Sequence, residues 1–299
     1  MSHIPVLAKE VLEYADPKPN QYFIDATLGN GGHALAILEK TKPHGKLLGI
    51  DLDRKAIDGI AAKIENAELQ ERMILVCGNF ASLKKIVAKN NFGPVHGIIA
   101  DLGLSSMELE VRGKGFSFLK DEPLVMSYGD WRADEGITAA EIVNGWSEEE
   151  LARILWNYGE ERFSRQIAKE IVRGRKAKPI QTTFQLVEII KKATPAWYHD
   201  GRLHPATKTF QALRIVVNDE LENLKSFLPQ ALEILEKDGR LVIISFHSLE
   251  DRIVKNFFKE SAKENLIKIL TKKVTMPGRA EIVKNPRSRS AKLRAGEKL

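Results

Sequence analysis

Short apolar runs alternate with amphipathic segments over the first hundred residues of the chain. Four runs have the length and continuous apolar character of buried strands: YFIDAT, KLLGIDLD, MILVCGNF and VHGIIADLG. The segments between them, such as GGHALAILEK, place apolar residues at helical spacing. Strands that are apolar throughout are typical of parallel sheets covered on both faces. The pattern therefore predicts an α/β fold with a doubly wound parallel sheet.

The strand signals stop near residue 108 and return only towards the end of the chain. Residues 109–205 contain helical patterns separated by turns with Gly and Pro. From residue 206 a long helical pattern, with an interruption expected near Pro229, leads to the strand GRLVIISF, a helix and a strand-like tail. We therefore predict a sheet domain formed by residues 1–108 and 206–299, interrupted by an all-helical insert over residues 109–205.

A glycine-rich turn follows the first predicted strand, within YFIDATLGNGGHALAIL. A turn of this kind, between a strand and a helix, is where doubly wound sheets bind nucleotides or nucleoside-like cofactors. Gly29, Gly31 and Gly32 would let such a ligand approach the backbone. The second strand ends at Asp51, where a carboxylate can accept both hydroxyls of a ribose. Turn and acid together predict a nucleoside-containing cofactor.

The charge at this turn favours a cationic cofactor. The dinucleotide pattern G-x-G-x-x-G is absent, and Asp25 puts a negative charge where a pyrophosphate would lie. S-adenosylmethionine carries a sulfonium, an ammonium and a ribose, and we favour it over a dinucleotide. The turn resembles the acid-x-Gly-x-Gly-x-Gly turn of Rossmann-like methyltransferases, with Thr27 in place of the first glycine. Phe80, after the third strand, would lie either on the adenine or in the core.

The fourth predicted strand, in GIIADLGLSS, ends at Asp101. Methyl transfer requires an acceptor lone pair held in line with the methyl group. If the acceptor is an exocyclic amine of a base, a carboxylate that accepts its N–H favours the geometry of attack. Asp101 is placed for that role or for a cofactor contact. Cys77 falls in mid-strand and is interpreted as a core residue rather than a nucleophile.

The composition is that of a globular protein in a reducing compartment. Apolar residues make up 43% of the chain and charged residues 29%, and there is one cysteine. The apolar runs are far shorter than the roughly 20 residues that a membrane span needs, and the first residues show no signal pattern. We therefore expect a cytoplasmic protein.

Positive charge is concentrated in two segments of a chain whose net charge is +6. Residues 268–299 carry ten Lys or Arg against two acids, and residues 162–178 carry seven against one. A charge run by itself can be a solvated face. Two separate basic segments favour a polyanionic partner.

Several blocks resemble, in the same order, those of the bacterial 16S ribosomal RNA cytosine-N4 methyltransferase family. The most specific are HPATKTFQALRI and SFHSLEDR; the others include LGNGGHA, IDLDRKAI, DLGLSS, GFSF with PLVM, YGEERFSRQIAKEIV and NPRSRSAKLRA. The resemblance implies a Rossmann-like, S-adenosylmethionine-dependent methyltransferase domain interrupted by a helical domain. It also implies methylation of the N4 amine of a decoding-centre cytidine, with 16S rRNA in the small ribosomal subunit as substrate and partner.

The resemblance places the family's cofactor contacts on particular residues of this chain. They fall on Gly31, Gly32, His33, Asp51, Phe80 and Asp101. A further contact, usually a glutamine, falls on Glu108, an acid in place of an amide. Where the family usually reads PLDMRMD, this chain has PLVMSYGD. Val125 and Ser127 thus replace an acid and an arginine, and we leave them out of the site.

The motif SFHSLEDR lies where the fifth strand meets its helix. We expect His247 and Asp251 to act there as catalytic residues beside the target base. Ser248 could instead cap the helix, with Asp251 completing a capping box. We do not expect a metal site that uses Glu250 with these residues.

Candidate substrate contacts come mainly from the predicted insert and the segment after it. The predicted substrate-binding residues are Phe116, Phe118, His204, Lys208, Arg214 and Ser245. The two phenylalanines share a loop with Tyr128 and Trp131, and aromatic residues there could hold an extracted base by stacking. Two of the four could equally anchor the core. Lys208 and Arg214 either face phosphate or cover a helix.

Two other functions remain open at this point. One is an amine methyltransferase of the same fold that acts on DNA or protein. The other is a ribosome-assembly binding module that keeps the cofactor site but has little turnover, which the altered PLVMSYGD segment leaves open. A homodimer is possible under each of these hypotheses.

Overall fold

The chain divides into two compact units. The computed structural model describes residues 5–64, 67–103, 113–128, 136–201 and 203–299. The first unit, called here the sheet unit, comprises Met1–Ser105 and Leu221–Leu299, and the second, the helical unit, comprises Ser106–Glu220. The second boundary lies fifteen residues beyond the predicted one after residue 205, because the helix over Thr207–Val217 packs on other helices of the helical unit.

Seven strands form the sheet of the sheet unit. They are β1 (Phe23–Asp25), β2 (Leu47–Asp51), β3 (Met73–Cys77), β4 (Val95–Asp101), β5 (Leu235–Ser245), β6 (Ile267–Ile269) and β7 (Lys292–Lys298). The helices of this unit are α1 (Ala8–Ala15), α2 (Gly32–Lys40), α3 (Arg54–Lys63), α4 (Ala67–Arg72) and α5 (Leu83–Lys89), and, in its second part, α12 (Glu220–Ile234), α13 (Ser248–Lys263) and α14 (Arg279–Lys284). The first residue of α12 belongs to the helical unit.

The strands lie in the order β3-β2-β1-β4-β5-β7-β6. The first five strands pair in parallel, whereas β7 runs antiparallel to β5 on one side and to β6 on the other. The order reverses between β1 and β4, which is the position where open α/β sheets bind ligands at the carboxyl ends of their strands.

Apolar side chains pack on both faces of this sheet. Successive residues of a strand point to opposite faces of the sheet and so belong to different clusters. Phe23, for example, contributes to one core and Ile24 to the opposite core. Helices α5, α12 and α13 supply the first cluster with residues such as Leu83 and Phe227. Helices α1, α2 and α3 supply the second. This two-sided burial explains why the strands are apolar throughout.

The helical unit contains six helices within its described residues. They are α6 (Ala139–Gly145), α7 (Glu148–Gly159), α8 (Ser164–Ala177), α9 (Thr183–Ala193), the short α10 (Ala196–His199) and α11 (Thr207–Val217). Capping boxes begin α6, α7 and α9 through Thr138, Ser147 and Thr182. In each box the side chain accepts from the third helical residue, whose own side chain accepts in return.

The long helical pattern breaks at a different place from the one predicted. The break lies between α11 and α12, where Asp219 adopts φ 49° and the side chain of Asn218 donates to the carbonyls of Arg214 and Met126. Helix α12 continues through Pro229. Its buried face, which includes Phe227 and Leu228, packs into the core, and this packing offsets the one backbone hydrogen bond that proline removes.

The interpretation of Cys77 as a core residue was wrong. Cys77 is the last residue of β3 and is exposed. Strand β3 lies at the edge of the sheet and ends at Cys77, beyond the part of the sheet that the helices cover. None of the described helices combines the length and the apolar character that a bilayer-crossing segment requires.

Candidate active site

Three parallel strands of the sheet unit end in aspartate. Asp25, Asp51 and Asp101 are the last residues of β1, β2 and β4, and β1 lies between the other two strands. Because these strands are parallel, their carboxyl ends meet at one edge of the sheet. The structure thus brings together the three acids that the sequence singled out separately.

Asp51 holds the glycine turn to the end of β2. Its Oδ2 accepts a hydrogen bond of 2.7 Å from the backbone N–H of Gly29, and its Oδ1 accepts one of 2.9 Å from Asp53. Burial raises the pKa of the Asp51 carboxyl, and these backbone donors oppose that shift. The backbone of Leu52 also donates to this carboxylate, which has about four acceptor positions in all, so about one remains for an external hydroxyl.

Glycine occupies the three positions of the turn for different physical reasons. A Cβ on Gly31, whose φ is +74°, would lie 2.6 Å from Cδ1 of Ile60, and one on Gly32 would lie 2.3 Å from the ring of Pro5. These two glycines are therefore required by packing. At Gly29, with φ +50°, the nearest atom to such a Cβ is 3.8 Å away. Of the three, only Gly29 has room for a Cβ at ordinary van der Waals distance, so its backbone is the one that a ligand could approach closely.

Thr27 joins the glycine turn to β4. Its Oγ1 accepts a 2.6 Å hydrogen bond from the backbone N–H of Asp101. A glycine at this position, as in the turn that the sequence resembles, could not make this bond, because it has no side chain. The bond fixes the end of β4 against the turn that follows β1.

Asp25 is a buried acid with a strongly raised pKa. Burial is the largest cause, and the neighbouring charge of Asp51 adds to it, so that the pKa rises to about 7. Hydrogen bonds from the backbone N–H groups of Thr27 and Ala34 oppose the shift. A cation bound beside Asp25 would favour its ionised form.

Asp101 shares this environment. Burial, followed by the charges of Asp25 and Glu250, raises the pKa of the Asp101 carboxyl well above its usual range. Its side chain is 25% exposed, but Oδ1 is enclosed and has no hydrogen-bond partner within the described part of the chain. Its Oδ2 lies 3.8 Å from Nε2 of the buried His33. An enclosed acceptor atom of this kind is suited to receive an N–H of a bound molecule.

His247 and Glu250 begin helix α13 directly after β5. His247 is the N-cap, its Nδ1 accepting from the Glu250 backbone, and the Glu250 carboxylate accepts from the backbone N–H groups of Phe246 and His247. The alternative predicted from the sequence was a capping box of Ser248 and Asp251. A capping box does form here, but one residue earlier, between His247 and Glu250. Glu250 is buried and its charge reaches Asp101. Its spacing of three residues from His247 was the sequence signal for this role.

Asp251 and Ser245 make contacts on the β7 side of the sheet. Both oxygens of Asp251 are engaged by Arg294 in β7, at 2.7 and 3.2 Å, and Lys292 lies 3.8 Å away. The hydroxyl of the buried Ser245 donates to the carbonyl of Lys292. Both side chains thus hold β7 to β5 and α13, and the catalytic role of Asp251 and the substrate-binding role of Ser245 stay predictions.

Phe80 lies just after β3, in a single 3₁₀ turn over Phe80–Ser82. Its ring meets Phe227 edge to face at a centroid distance of 5.2 Å, and the side chain is half-buried. The ring thus contacts the core with one part and keeps the other accessible. This placement is compatible with both roles considered from the sequence.

The predicted substrate contacts of the helical unit form two aromatic pairs. Phe118 stacks on His204 at 4.4 Å with an angle of 6° between the rings, and both side chains are half-buried. Burial lowers the pKa of His204, so the neutral imidazole predominates at neutral pH. Phe116 is buried and stacks on Tyr128 at 5.5 Å, which gives it the core position considered as an alternative.

Two cations of the helical unit bind internal groups. Arg214 forms a two-pronged ion pair with Glu220, at 2.8 and 3.0 Å, and Tyr128 donates to the same carboxylate at 2.6 Å. Lys208 donates to the carbonyl of Glu160, the residue that ends α7. Both side chains therefore have internal partners, and the expectation that they face phosphate stays a prediction. Glu108 and Trp131 lie outside the described residues.

Three features together define the class of this protein. They are the strand order with an antiparallel β7, the glycine turn after β1 and the acids at the strand ends. The class is that of the Rossmann-like, S-adenosylmethionine-dependent methyltransferases. Within this class, the chain belongs to the MraW methylase family, whose model matches residues 1–299. The expected family and fold class are thereby confirmed.

Named relatives match the chain over nearly its whole length. It is 46% identical to the ribosomal RNA small subunit methyltransferase H of Geotalea uraniireducens, with 99% of this chain and 98% of that protein covered. It is also 46% identical to the protein of the same name from Geobacter sulfurreducens, with 100% and 99% covered. Among solved structures, an rRNA methylase from Streptococcus thermophilus gives a TM-score of 0.46 at 12% identity, with 100% and 99% covered. A TM-score below 0.5 adds nothing to the assignment.

Proposed function

We propose that this protein transfers the methyl group of S-adenosylmethionine to the N4 amine of a cytidine in small-subunit ribosomal RNA. The observation that carries the proposal is the partly exposed carboxylate of Asp101, which lies among buried acids at the carboxyl ends of the parallel strands and whose Oδ1 has no hydrogen-bond partner within the described residues. The target that we infer is a decoding-centre cytidine of 16S rRNA in the small subunit. We infer a cytoplasmic location, where that substrate is assembled.

The residues present fit the cofactor. Asp51 offers an acceptor position for a ribose hydroxyl beside the backbone of Gly29, and Asp25 and Asp101 are acids whose ionised forms a cation would stabilise. Gly31, Gly32 and His33 shape the turn, and the accessible part of Phe80 is suited to the adenine. When bound, S-adenosylmethionine supplies an activated methyl group.

The role that we assign to Asp101 is to orient the acceptor amine. A carboxylate that accepts one N–H of the amine draws its lone pair out of conjugation with the base and directs it towards the methyl group. Positive charge near Asp25 and Asp101 favours the ionised form that this role needs. His33, His247 and Glu250 complete the polar lining.

The inferred substrate rests on the relatives and on charge. The curated relatives are named as methyltransferases of small-subunit ribosomal RNA. The two basic segments and the net charge of +6 suit a polyanionic partner. We assign substrate recognition to the helical unit and methyl transfer to the sheet unit.

The test is methyl transfer to small ribosomal subunits that lack the modification. We expect N4-methylcytidine, identified by mass spectrometry of the digested RNA. At saturating cofactor, Asp101→Asn should lower turnover by about two to four orders of magnitude, the usual range for a positioned acid–base or acceptor group. Asp58→Asn, which changes an exposed acid of α3, is the matched control and should retain turnover.

Four outcomes would contradict the proposal or a part of it. Methylation of a different nucleoside would reject the N4 assignment, and methylation of DNA or protein in preference to small subunits would favour the other amine substrates. Binding of small subunits by the wild-type protein without any turnover would favour the assembly-module hypothesis. Full turnover of Asp101→Asn would reject the role of that residue.

A further inference from the structure

A row of basic side chains lies on one exposed face of α8 in the helical unit. Arg162 precedes the helix, and Arg165, Lys169, Arg173 and Lys176 follow at intervals of three or four residues. Residues at these intervals are neighbours on a helix surface. All five side chains are exposed. They are called here the basic row.

Most of this positive charge is not neutralised internally. Arg173 pairs with Glu170 at 2.8 Å. In the part of the chain that the structure describes, Arg165, Lys169 and Lys176 have no carboxylate oxygen within 4.0 Å. The opposite face of α8, with Ile167, is buried in the unit. The row therefore presents its charge outward from a fixed helix.

At its first position the basic row is held by aromatic rings. The guanidinium of Arg162 lies 4.4 Å from the ring centre of Trp197, 5.0 Å from Phe163 and 5.2 Å from Tyr198. The hydroxyl of Tyr198 donates to the buried Glu161 at 2.6 Å, which fixes the cluster. The indole of Trp197 is nevertheless 59% exposed. Arg162 and Trp197 thus form a preorganised surface with both charge and a stacking face.

An open groove of about 800 Å³ adjoins the basic row. Arg153, Trp156, Arg162 and Arg165 are among its lining residues, and the indole of Trp156 is 60% exposed. Glu148 and Glu149, in the first turn of α7, also line the groove. Because Arg162 and Arg165 belong to the basic row, the positively charged side of the groove is the side that continues onto α8.

We propose that the basic row and this groove bind a single-stranded segment of the ribosomal RNA that carries the target base. Phosphates would lie along the row, and unstacked bases would lie against Trp156 and Trp197. Single-stranded nucleic acids are bound in this way by a positive track with aromatic platforms. An acidic peptide would match the charge but would have no use for two exposed indoles. The inference rests on the proposed function for the identity of the RNA.

The test measures RNA binding directly, without methyl transfer. The full-length protein is titrated with a fluorescein-labelled single-stranded RNA of about 20 nucleotides, and anisotropy is recorded over a range of salt concentrations. Lys169→Gln with Lys176→Gln removes two charges from the row. Lys191→Gln with Lys192→Gln removes two exposed charges from α9 of the same unit and is the matched control.

We expect the row variant to bind at least about tenfold more weakly and to lower the slope of log K against log salt by about 1.4, or 0.7 for each lost phosphate contact. The α9 control should change affinity less than twofold. Trp156→Ala should weaken binding by about fivefold or more, and Trp156→Phe should restore most of it, because a phenyl ring also stacks on a base.

The inference is overturned if both double variants lose affinity equally, because the effect would then be general electrostatics. It is also overturned if RNA binding is unchanged while small-subunit binding is lost, since the surface would then contact a ribosomal protein. Tight RNA binding through this surface with no N4-methylcytidine formed would remove the proposed function and leave this surface standing.

Discussion

Asp25 lies in an environment that differs strongly from that of an ordinary acid. Its pKa rises from 3.8 to about 7 on burial, so the folded protein binds this proton more tightly than the unfolded chain does. As the pH rises from 3.8 to about 7, the folded state loses stability relative to the unfolded chain. Above about pH 7 this group causes no further loss. By linkage the total is roughly 4 kcal/mol.

Asp25→Asn should remove this pH dependence. The amide keeps the neutral form that the buried site favours, so the variant should become more stable relative to the wild type as pH rises. We expect its advantage in the free energy of unfolding to grow by about 2 to 3 kcal/mol from pH 5 to pH 8. Urea unfolding at both pH values measures it. A constant difference between the two proteins would show that Asp25 titrates normally.

The two kinds of glycine in the turn should respond differently to alanine. Gly31→Ala combines a left-handed φ with a Cβ 2.6 Å from Ile60, and we expect it to cost about 2 to 5 kcal/mol of folding free energy. Gly29→Ala meets only an ordinary van der Waals contact, so only the backbone strain of about 1 to 2 kcal/mol remains.

A double variant separates contact from strain at Gly31. Ile60→Val removes the Cδ1 atom that the new methyl group would meet. In a double-mutant cycle by chemical denaturation, it should recover part of the loss in Gly31→Ala and none of that in Gly29→Ala. Equal costs for the two alanine variants would show that packing on Ile60 does not determine the glycine.

At the level of elements, the start of α13 gives a structural role to His247, a residue also predicted to be catalytic. His247 caps the helix while Glu250 completes the box and approaches Asp101. Asparagine is a good N-cap. His247→Asn should therefore keep the free energy of unfolding within about 1 kcal/mol, whereas His247→Ala should lose about 0.5 to 2 kcal/mol.

The same pair of variants reports on the chemistry. If the imidazole takes part in methyl transfer, His247→Asn should lower kcat although the helix remains capped. Thermal unfolding and steady-state kinetics on small subunits measure the two effects. Loss of kcat in His247→Ala with full recovery in His247→Asn would assign His247 a capping role alone.

At the level of the whole molecule, the sheet depends on a strand from the end of the chain. Strand β7 lies between β5 and β6, and Leu293 and Ala295 in it are fully buried. Leu293→Ala should cost about 2 to 5 kcal/mol, the usual price of a cavity in a packed core.

Hydrogen exchange shows whether that loss spreads over the sheet. Because β1 and β7 contribute to the same apolar cluster, amides of Phe23–Asp25 should exchange faster in Leu293→Ala, together with those of β7. Leu299→Ala, at an exposed position close by, is the control and should leave both regions unchanged. Faster exchange confined to β7 would show that the sheet does not unfold as one unit.

The sequence by itself determined the features that depend on local pattern. Continuous apolar runs predicted the parallel strands because both faces of the sheet are buried, and they placed Asp51 and Asp101 at the ends of their strands. The motif blocks indicated the family, and the family match confirmed it.

Only the tertiary structure decided which partner each side chain meets. Glu250 rather than Asp251 approaches Asp101, Arg214 is bound to Glu220, and Cys77 is exposed at the end of an edge strand. A side chain at Gly31 would collide with Ile60, which lies far from it in the chain. Such contacts join residues distant in sequence, and their outcome depends on burial and competing charges that no local spacing encodes.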